Sequence, residues 1–397
     1  MTGSGEEAPV TGPLHGLRVL DFTMVMAGPF CTRILADLGA EVIKVEPANG
    51  DQIRGRPPVR DGRSTYFGQM NVGKRSIVLD LKKPEGVALA RRMAAKADVV
   101  VENFRPGVMQ RLGLGYDTLS LANPGLIYCA ISGFGQTGPA AGKPAYAPII
   151  HAASGYDLAN LSYQDDMDQP ARTGIFMADV LSAVYAFSGI QTALYARERT
   201  GLGQYVDVSL MDSMLSLLVF EGQEAQFPTE RRRPLYHPLR TTDGFIIVAP
   251  VSEKIFLRMC DALGHPEWRT DPRFSHIGER EQHWDEMMGL IGEWAQQRSA
   301  REAEAHLTAA GVPCSRYRTT AEALADPQLA HRGSLAEVSD ASGPFLVPNQ
   351  PFKLSNAEVR ARGTVPELGG DADDILRGLL GSDAEEIAAL RASGALG

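Results

Sequence analysis

Asp179 ends the run Gly174-Ile-Phe-Met-Ala-Asp179 and stands at the head of a helix whose apolar stripe includes Val180, Val184, Phe187, Ile190 and Leu194. A short acid in that place has two uses. It caps the helix by accepting backbone N–H groups, or it serves as a carboxylate nucleophile that the same amides keep ionised near neutral pH. The residues alone leave both open. Asp157, Asp165, Asp166 and Asp168 lie upstream in a polar loop and read as solvated surface.

A second stretch with chemical meaning runs from Leu17 to Arg54. Arg18 to Phe22 is a short apolar strand, Thr23 to Pro29 a small-residue turn, and Phe30 to Leu38 has helical spacing. Gly39 stops that helix before a second strand, Glu41 to Val45. Such a unit points a helix N-terminus, with unpaired amides, at an anionic ligand above the strand ends. Glu46 sits where a ribose-binding acid of a nicotinamide site would be, but the turn reads TMVMAGPF and lacks the G-x-G-x-x-G glycines that admit a pyrophosphate. Hydride chemistry is therefore disfavoured.

The elements that must position these residues alternate. Strands are expected at 18–22, 41–45, 77–80, 98–101, 126–131 and 205–208, with helices at 30–38, 85–96, 107–112, 178–198 and 210–225. This alternation predicts an α/β fold, a Rossmann-like, mostly parallel sheet with helices on both faces. After a charged break, Thr229-Glu-Arg-Arg-Arg-Pro234, come a turn and strand at 241–249 and helices at 252–263, 281–297 and 299–310. Expected domains are a large one over 14–228, a smaller α+β one over 229–330, and a return segment, 331–397, that completes the first. That segment carries an expected strand at Pro351-Phe-Lys-Leu354 and a helix at 370–380.

Composition sets limits. A chain of 397 residues with 44% hydrophobic content exceeds what one domain usually holds. A net charge of −9 argues against nucleic acid as a partner. Cys31, Cys129, Cys260 and Cys314 are far apart, without C-x-x-C spacing, which suits a reduced compartment and disfavours a metal site. Met1 to Pro13 reads as a polar lead-in and not a signal peptide, and no uncharged run reaches membrane-spanning length. The expectation is a cytoplasmic protein with no membrane partner.

Further segments define a resemblance. After GLRVLDFT, AGPF and LADLGAEVIKVEP come Asn71-Val-Gly-Lys-Arg-Ser-Ile-Val-Leu-Asp-Leu-Lys82, then Ala97-Asp-Val-Val-Val-Glu-Asn-Phe-Arg-Pro-Gly107 with Arg111-Leu-Gly-Leu-Gly115. Next are Ile131-Ser-Gly-Phe-Gly-Gln-Thr-Gly-Pro139, Asp179, and Thr200-Gly-Leu-Gly-Gln-Tyr-Val-Asp-Val-Ser-Leu210. In this order they resemble the family III coenzyme A transferases, the group of carnitine-CoA and formyl-CoA transferases that also contains the alpha-methylacyl-CoA racemases. The likeness covers nearly the whole chain and weakens after about residue 330.

The resemblance implies an interlocked homodimer that moves coenzyme A from an acyl-CoA thioester to a carboxylic acid. Acyl-CoA is a substrate there, with no cofactor permanently bound. It implies Asp179 as nucleophile, Asn103 and Arg111 as coenzyme A contacts, and Phe104 and Pro106 as shaping that loop. Lys74 and Arg75 belong to a matching segment, Arg54 to the G-D-x-x-R stretch near the entrance, and Met26 to the first turn, where the formyl-CoA transferases carry a glutamine. Their active-site glutamate falls on Ala147, and HPLRTTDG has no counterpart of their glycine-rich loop. The racemase histidine falls on Tyr146, which favours the transferase branch over a racemase. A coenzyme A-binding protein without catalysis is the remaining reading. His151 is either an active-site neighbour or a core histidine. Arg231, Arg232 and Arg233 either supply a cation to a second carboxylate, which would suit a dicarboxylate acceptor, or form a solvated linker.

Overall fold

The computed structural model describes residues 12–229 and 235–397. Most of the expected lead-in and all of Arg231 to Arg233 lie outside the described residues. The chain divides into two compact units, one running to Gln223 and resuming at Ala330–Gly397, the other Glu224–Leu329.

The first unit is built on six parallel strands: β1 (Arg18–Asp21), β2 (Glu41–Glu46), β3 (Arg75–Val78), β4 (Val99–Glu102), β5 (Ile127–Ser132) and β6 (Tyr205–Ser209). Their order is β3-β2-β1-β4-β5-β6, the doubly wound arrangement that reverses direction between β1 and β4. Helices α1 (Ala27–Asp37), α2 (Thr65–Asn71), α3 (Pro84–Ala94), α4 (Ala147–Ala153), α5 (Met177–Thr200) and α6 (Leu210–Leu215) belong to this unit.

The strands read as near-continuous apolar runs because both faces of the sheet are covered. Val99 and Val101 join Val19, Val42 and Ile127 in a core with Cys31 and Leu35 of α1 and Ala183, Ala186 and Ile190 of α5. Val100, between them, points the other way, with Leu20, Ile43 and Tyr128, against Leu89 and Met93 of α3. The return segment closes that second face through Ile375, Leu376 and Ile387. Each fully buried valine, leucine, isoleucine or methionine among them stabilises the unit by roughly 1.5–3 kcal/mol relative to exposure.

Gly28 is fixed by contact: a Cβ there would lie 2.3 Å from Thr23, so only glycine lets α1 approach the turn this closely. Pro29 falls in the first turn of α1, where no intrahelical bond is lost.

The smaller unit holds a three-stranded antiparallel sheet of β7 (Leu239–Arg240), β8 (Phe245–Val248) and β9 (Cys314–Arg316). Helices α7 (Glu253–Leu263), α8 (Trp284–Ala295) and α9 (Ala300–Ala309) pack on it around Phe256, Met287, Ile291 and Leu307.

One expectation in the return segment needs correction. Pro351 to Leu354 is not a strand; the pairing segments are β10 (Leu335–Asp340) and β11 (Gly343–Pro348), an antiparallel hairpin. The helix is Ala372–Leu380, followed by another, Ala384–Ser393. The expected helix over 210–225 is two short ones, Leu210–Leu215 and Val219–Glu224.

Candidate active site

Where strand order reverses, the turn after β1 meets the loop after β4. Asn103 joins them: its Oδ1 accepts the Met24 N–H at 2.9 Å, and its Nδ2 donates to the Met24 carbonyl at 2.8 Å. Val25 follows in the left-handed region at φ 71°, costly for a β-branched residue. Asp51 holds it there, accepting the Val25 N–H at 3.1 Å while Lys44 Nζ, fully buried, donates to Asp51 at 3.1 Å and to the Thr23 carbonyl at 2.7 Å.

Beneath the turn, Asp21 accepts from Thr32 Oγ1 at 2.6 Å and Lys74 Nζ at 3.0 Å. Burial opposes the charge on Asp21, but the two lysines and its hydroxyl donors outweigh that and bring its pKa down to about 2. The same burial takes Lys74 down to about 8. The Lys74 ammonium also donates to Asn71 at 2.8 Å and to the Pro29 carbonyl at 2.9 Å. Lys74 is thus an internal strut rather than a ligand contact, since its head has no exposed face.

Asp179 lies in the first turn of α5, but Phe176 is the N-cap residue, so the plain capping role does not apply. The reason expected for its ionisation also needs correction. No amide or cation among the described residues holds the carboxylate, and burial pushes its pKa up to about 6 despite the favourable helix dipole. The group is still mainly ionised at neutral pH and poorly solvated, the condition of a carboxylate ready to react. Tyr66, on α2, feels this charge: burial, Asp179 and Asp51 together take its phenol up to about 12. Tyr66 packs in one small cluster with Val25, Met26 and Phe67, so a residue that feels the Asp179 charge also packs against the first turn. An isolated tyrosine in the sequence gave no signal of this.

His151 is fully buried on α4, and its Nε2 accepts the backbone N–H of Ala178 at 3.1 Å. It is therefore both a core residue and a neighbour of the site. Tyr146 is 65% exposed and stands just ahead of the buried Ala147.

The remaining expected contacts divide. Phe104 packs partly buried against the second core face, its N–H donating to Glu102 at 2.8 Å. Arg111 is exposed, its guanidinium lies over Gly107, and among the described residues it has no carboxylate partner. A free cation on the loop carrying Asn103 and Phe104 suits a phosphate. Arg75 does not join them: it starts β3 and bonds Glu41, the first residue of β2, at 2.7 Å, at the opposite end of the strands. Arg54 is committed to Glu46 at 2.6 Å and stacks 4.0 Å over Phe67. It borders a cleft of about 210 Å³ that Asn103, Arg111 and Asp179 do not line.

The fold defines a doubly wound α/β protein of the nucleotide-binding type, with a poorly solvated carboxylate at the head of α5. The model of CoA-transferase family III matches residues 14–372, and the chain belongs to that family. It is 37% identical to the succinyl-CoA–D-citramalate CoA-transferase of Chloroflexus aurantiacus over 394 residues, covering 96% of this chain and 97% of the relative. It is 40% identical to the acetyl-CoA:oxalate CoA-transferase of Acetobacter aceti over 355 residues, covering 87% and 90%. The crystal structure of a CAIB/BAIF family protein from Brucella suis superposes with a TM-score of 0.81 at 34% identity, over 93% of this chain and all of that one. The chain is a family III CoA-transferase of the transferase branch, acting on acyl-CoA. Among the described residues no helix is long and apolar enough to cross a membrane, and no cluster of side chains suits a metal ion.

Proposed function

We propose that this enzyme moves coenzyme A between an acyl-CoA and a dicarboxylic acid, with Asp179 carrying first the acyl group and then the thiol. The Asp179 carboxylate attacks the thioester carbonyl, forming a mixed anhydride and expelling the coenzyme A thiolate. That thiolate attacks the aspartyl carbonyl, releasing the donor acid and leaving an aspartyl thioester. The acceptor carboxylate attacks this thioester, the thiolate leaves again, and its return to the new acyl carbonyl frees Asp179 as a carboxylate. Charge and atoms balance without a metal or redox partner.

One observation carries the reading: a half-buried carboxylate, unpaired among the described residues, within electrostatic reach of Tyr66, which packs against the first turn. Asn103, Phe104 and Arg111 form the loop proposed to hold the nucleotide end, with Arg111 gripping a phosphate. Tight remote binding then offsets strain at the reacting centre. Both curated relatives named above use acids with two carboxylates, citramalate and oxalate, which supports the dicarboxylate as acceptor.

The active form is proposed to be a homodimer, interlocked as the family resemblance implies. Ile175, Val180, Val184, Tyr185 and Val219 are all more than 40% exposed, an apolar surface that a second copy suits. Light scattering on the eluting protein tests this, with a mass of one chain as the contrary result. An acyl-CoA panel crossed with an acid panel tests the activity: acid-dependent exchange supports it, and no exchange with any dicarboxylate refutes that acceptor class.

A further inference from the structure

We propose that His151 is a positioning residue for the transfer step: its unprotonated Nε2 pins the Ala178 amide, and so fixes the first turn of α5 and the Asp179 carboxylate one residue on. The proposal rests on the reading of Asp179 as the nucleophile.

A helix starts with amides that have no intrahelical acceptor. At α5 the N-cap residue, Phe176, offers no side-chain acceptor. The Ala178 N–H instead crosses to another helix and donates to His151 Nε2 at 3.1 Å, with both residues fully buried. This bond fixes the tautomer, since an accepting Nε2 places the neutral ring's proton on Nδ1. Nδ1 is buried without a partner among the described residues. An apolar residue would fill the same space without leaving a buried donor unpaired, so the imidazole's benefit lies in the accepting nitrogen. The Tyr156 ring packs 5.6 Å away and tilted against the imidazole, and burial lowers its basicity, which favours the neutral form. A covalent nucleophile needs this because small displacements of a reacting atom are expensive in rate.

The test uses the full-length enzyme, His151→Leu, His151→Gln, and the acyl-CoA and acid pair that turns over fastest. For His151→Leu, kcat is expected to fall about 100-fold with the KM for acyl-CoA within about twofold. His151→Gln, whose amide oxygen can accept the Ala178 N–H, is expected to recover kcat to within about tenfold of wild type. Nitrogen NMR of histidine-labelled wild type is expected to show Nε2 unprotonated and Nδ1 protonated at neutral pH. An unchanged kcat in the leucine variant, equal losses in both variants, or a protonated Nε2 overturns the proposal. Should the leucine variant not fold, the glutamine variant and the tautomer decide: a large kcat loss with glutamine, or the other tautomer, overturns it. Failure of wild type to form any adduct at Asp179 would instead strike the functional reading, and the tautomer reports on His151 separately.

Discussion

Asn103 holds the backbone of Met24 from both sides, accepting its N–H and donating to its carbonyl, so one side-chain amide ties together the loops on either side of the sheet's reversal point. This places Asn103 as a clamp on the first turn as well as a residue of the loop proposed to hold the nucleotide end. Asn103→Ala removes both bonds and is expected to lower stability by about 1–3 kcal/mol. Asn103→Asp, which keeps only the acceptor, should fall between. Urea unfolding and the KM for acyl-CoA, measured on both variants, check the order.

The ionisation of Asp179 should shape the pH profile. The proposed attack needs the carboxylate form, so kcat/KM is expected to rise with pH through about 6 and level above it. The same shift acts on stability with the opposite sign. Its native pKa lies above the ordinary 3.8, so the ionised group costs folding energy above about pH 6, and the cost disappears below the unfolded value. Asp179→Asn is therefore expected to abolish transfer yet stabilise the protein at pH 8, by up to roughly 3 kcal/mol, with the gain gone near pH 4. Thermal unfolding of both proteins across that range measures it.

Lys74 and Asp21 form a fully buried ion pair under the first turn. Lys74→Met leaves the Asp21 carboxylate buried without its main cation and is expected to cost about 3–5 kcal/mol. The double change with Asp21→Asn should recover part of that. A double-mutant cycle by urea denaturation gives the coupling.

Arg111 should bind rather than react. Arg111→Ala is expected to raise the KM for acyl-CoA about 10- to 100-fold, the loss of a charge-assisted phosphate contact, with kcat nearly unchanged. Steady-state kinetics at two salt concentrations check this, since a phosphate contact weakens with ionic strength.

The sheet was legible because its strands are short apolar runs separated by amphipathic helices, and burial on both faces leaves that pattern unbroken from Val19 to Val208. The β10–β11 hairpin was not, because Pro344 and Pro348 break the strand pattern, while Pro351-Phe-Lys-Leu354 has strand-like residues without a pairing partner. The helix at Ala384–Ser393 carried a readable start: Asp383 accepts the Glu386 N–H at 2.8 Å, the Asp-x-x-Glu spacing of a cap. In the site, the place of Asp179 on a helix start was readable, but the source of its charge balance was not. Sequence shows an acid near helix amides; only the fold shows that, among the described residues, no donor reaches it. Lys74 failed for the same reason, since a lysine looks alike whether it faces a ligand or the buried Asp21.

The central claim is that the Asp179 side chain itself becomes esterified during turnover. Mass spectrometry of the wild-type enzyme mixed with an acyl-CoA and no acceptor acid tests it most directly. The expected result is a coenzyme A adduct on the peptide containing Asp179, removed when a dicarboxylate is added and absent in Asp179→Ala. Transfer that persists in Asp179→Ala, or an adduct carried by a different residue, would contradict the account.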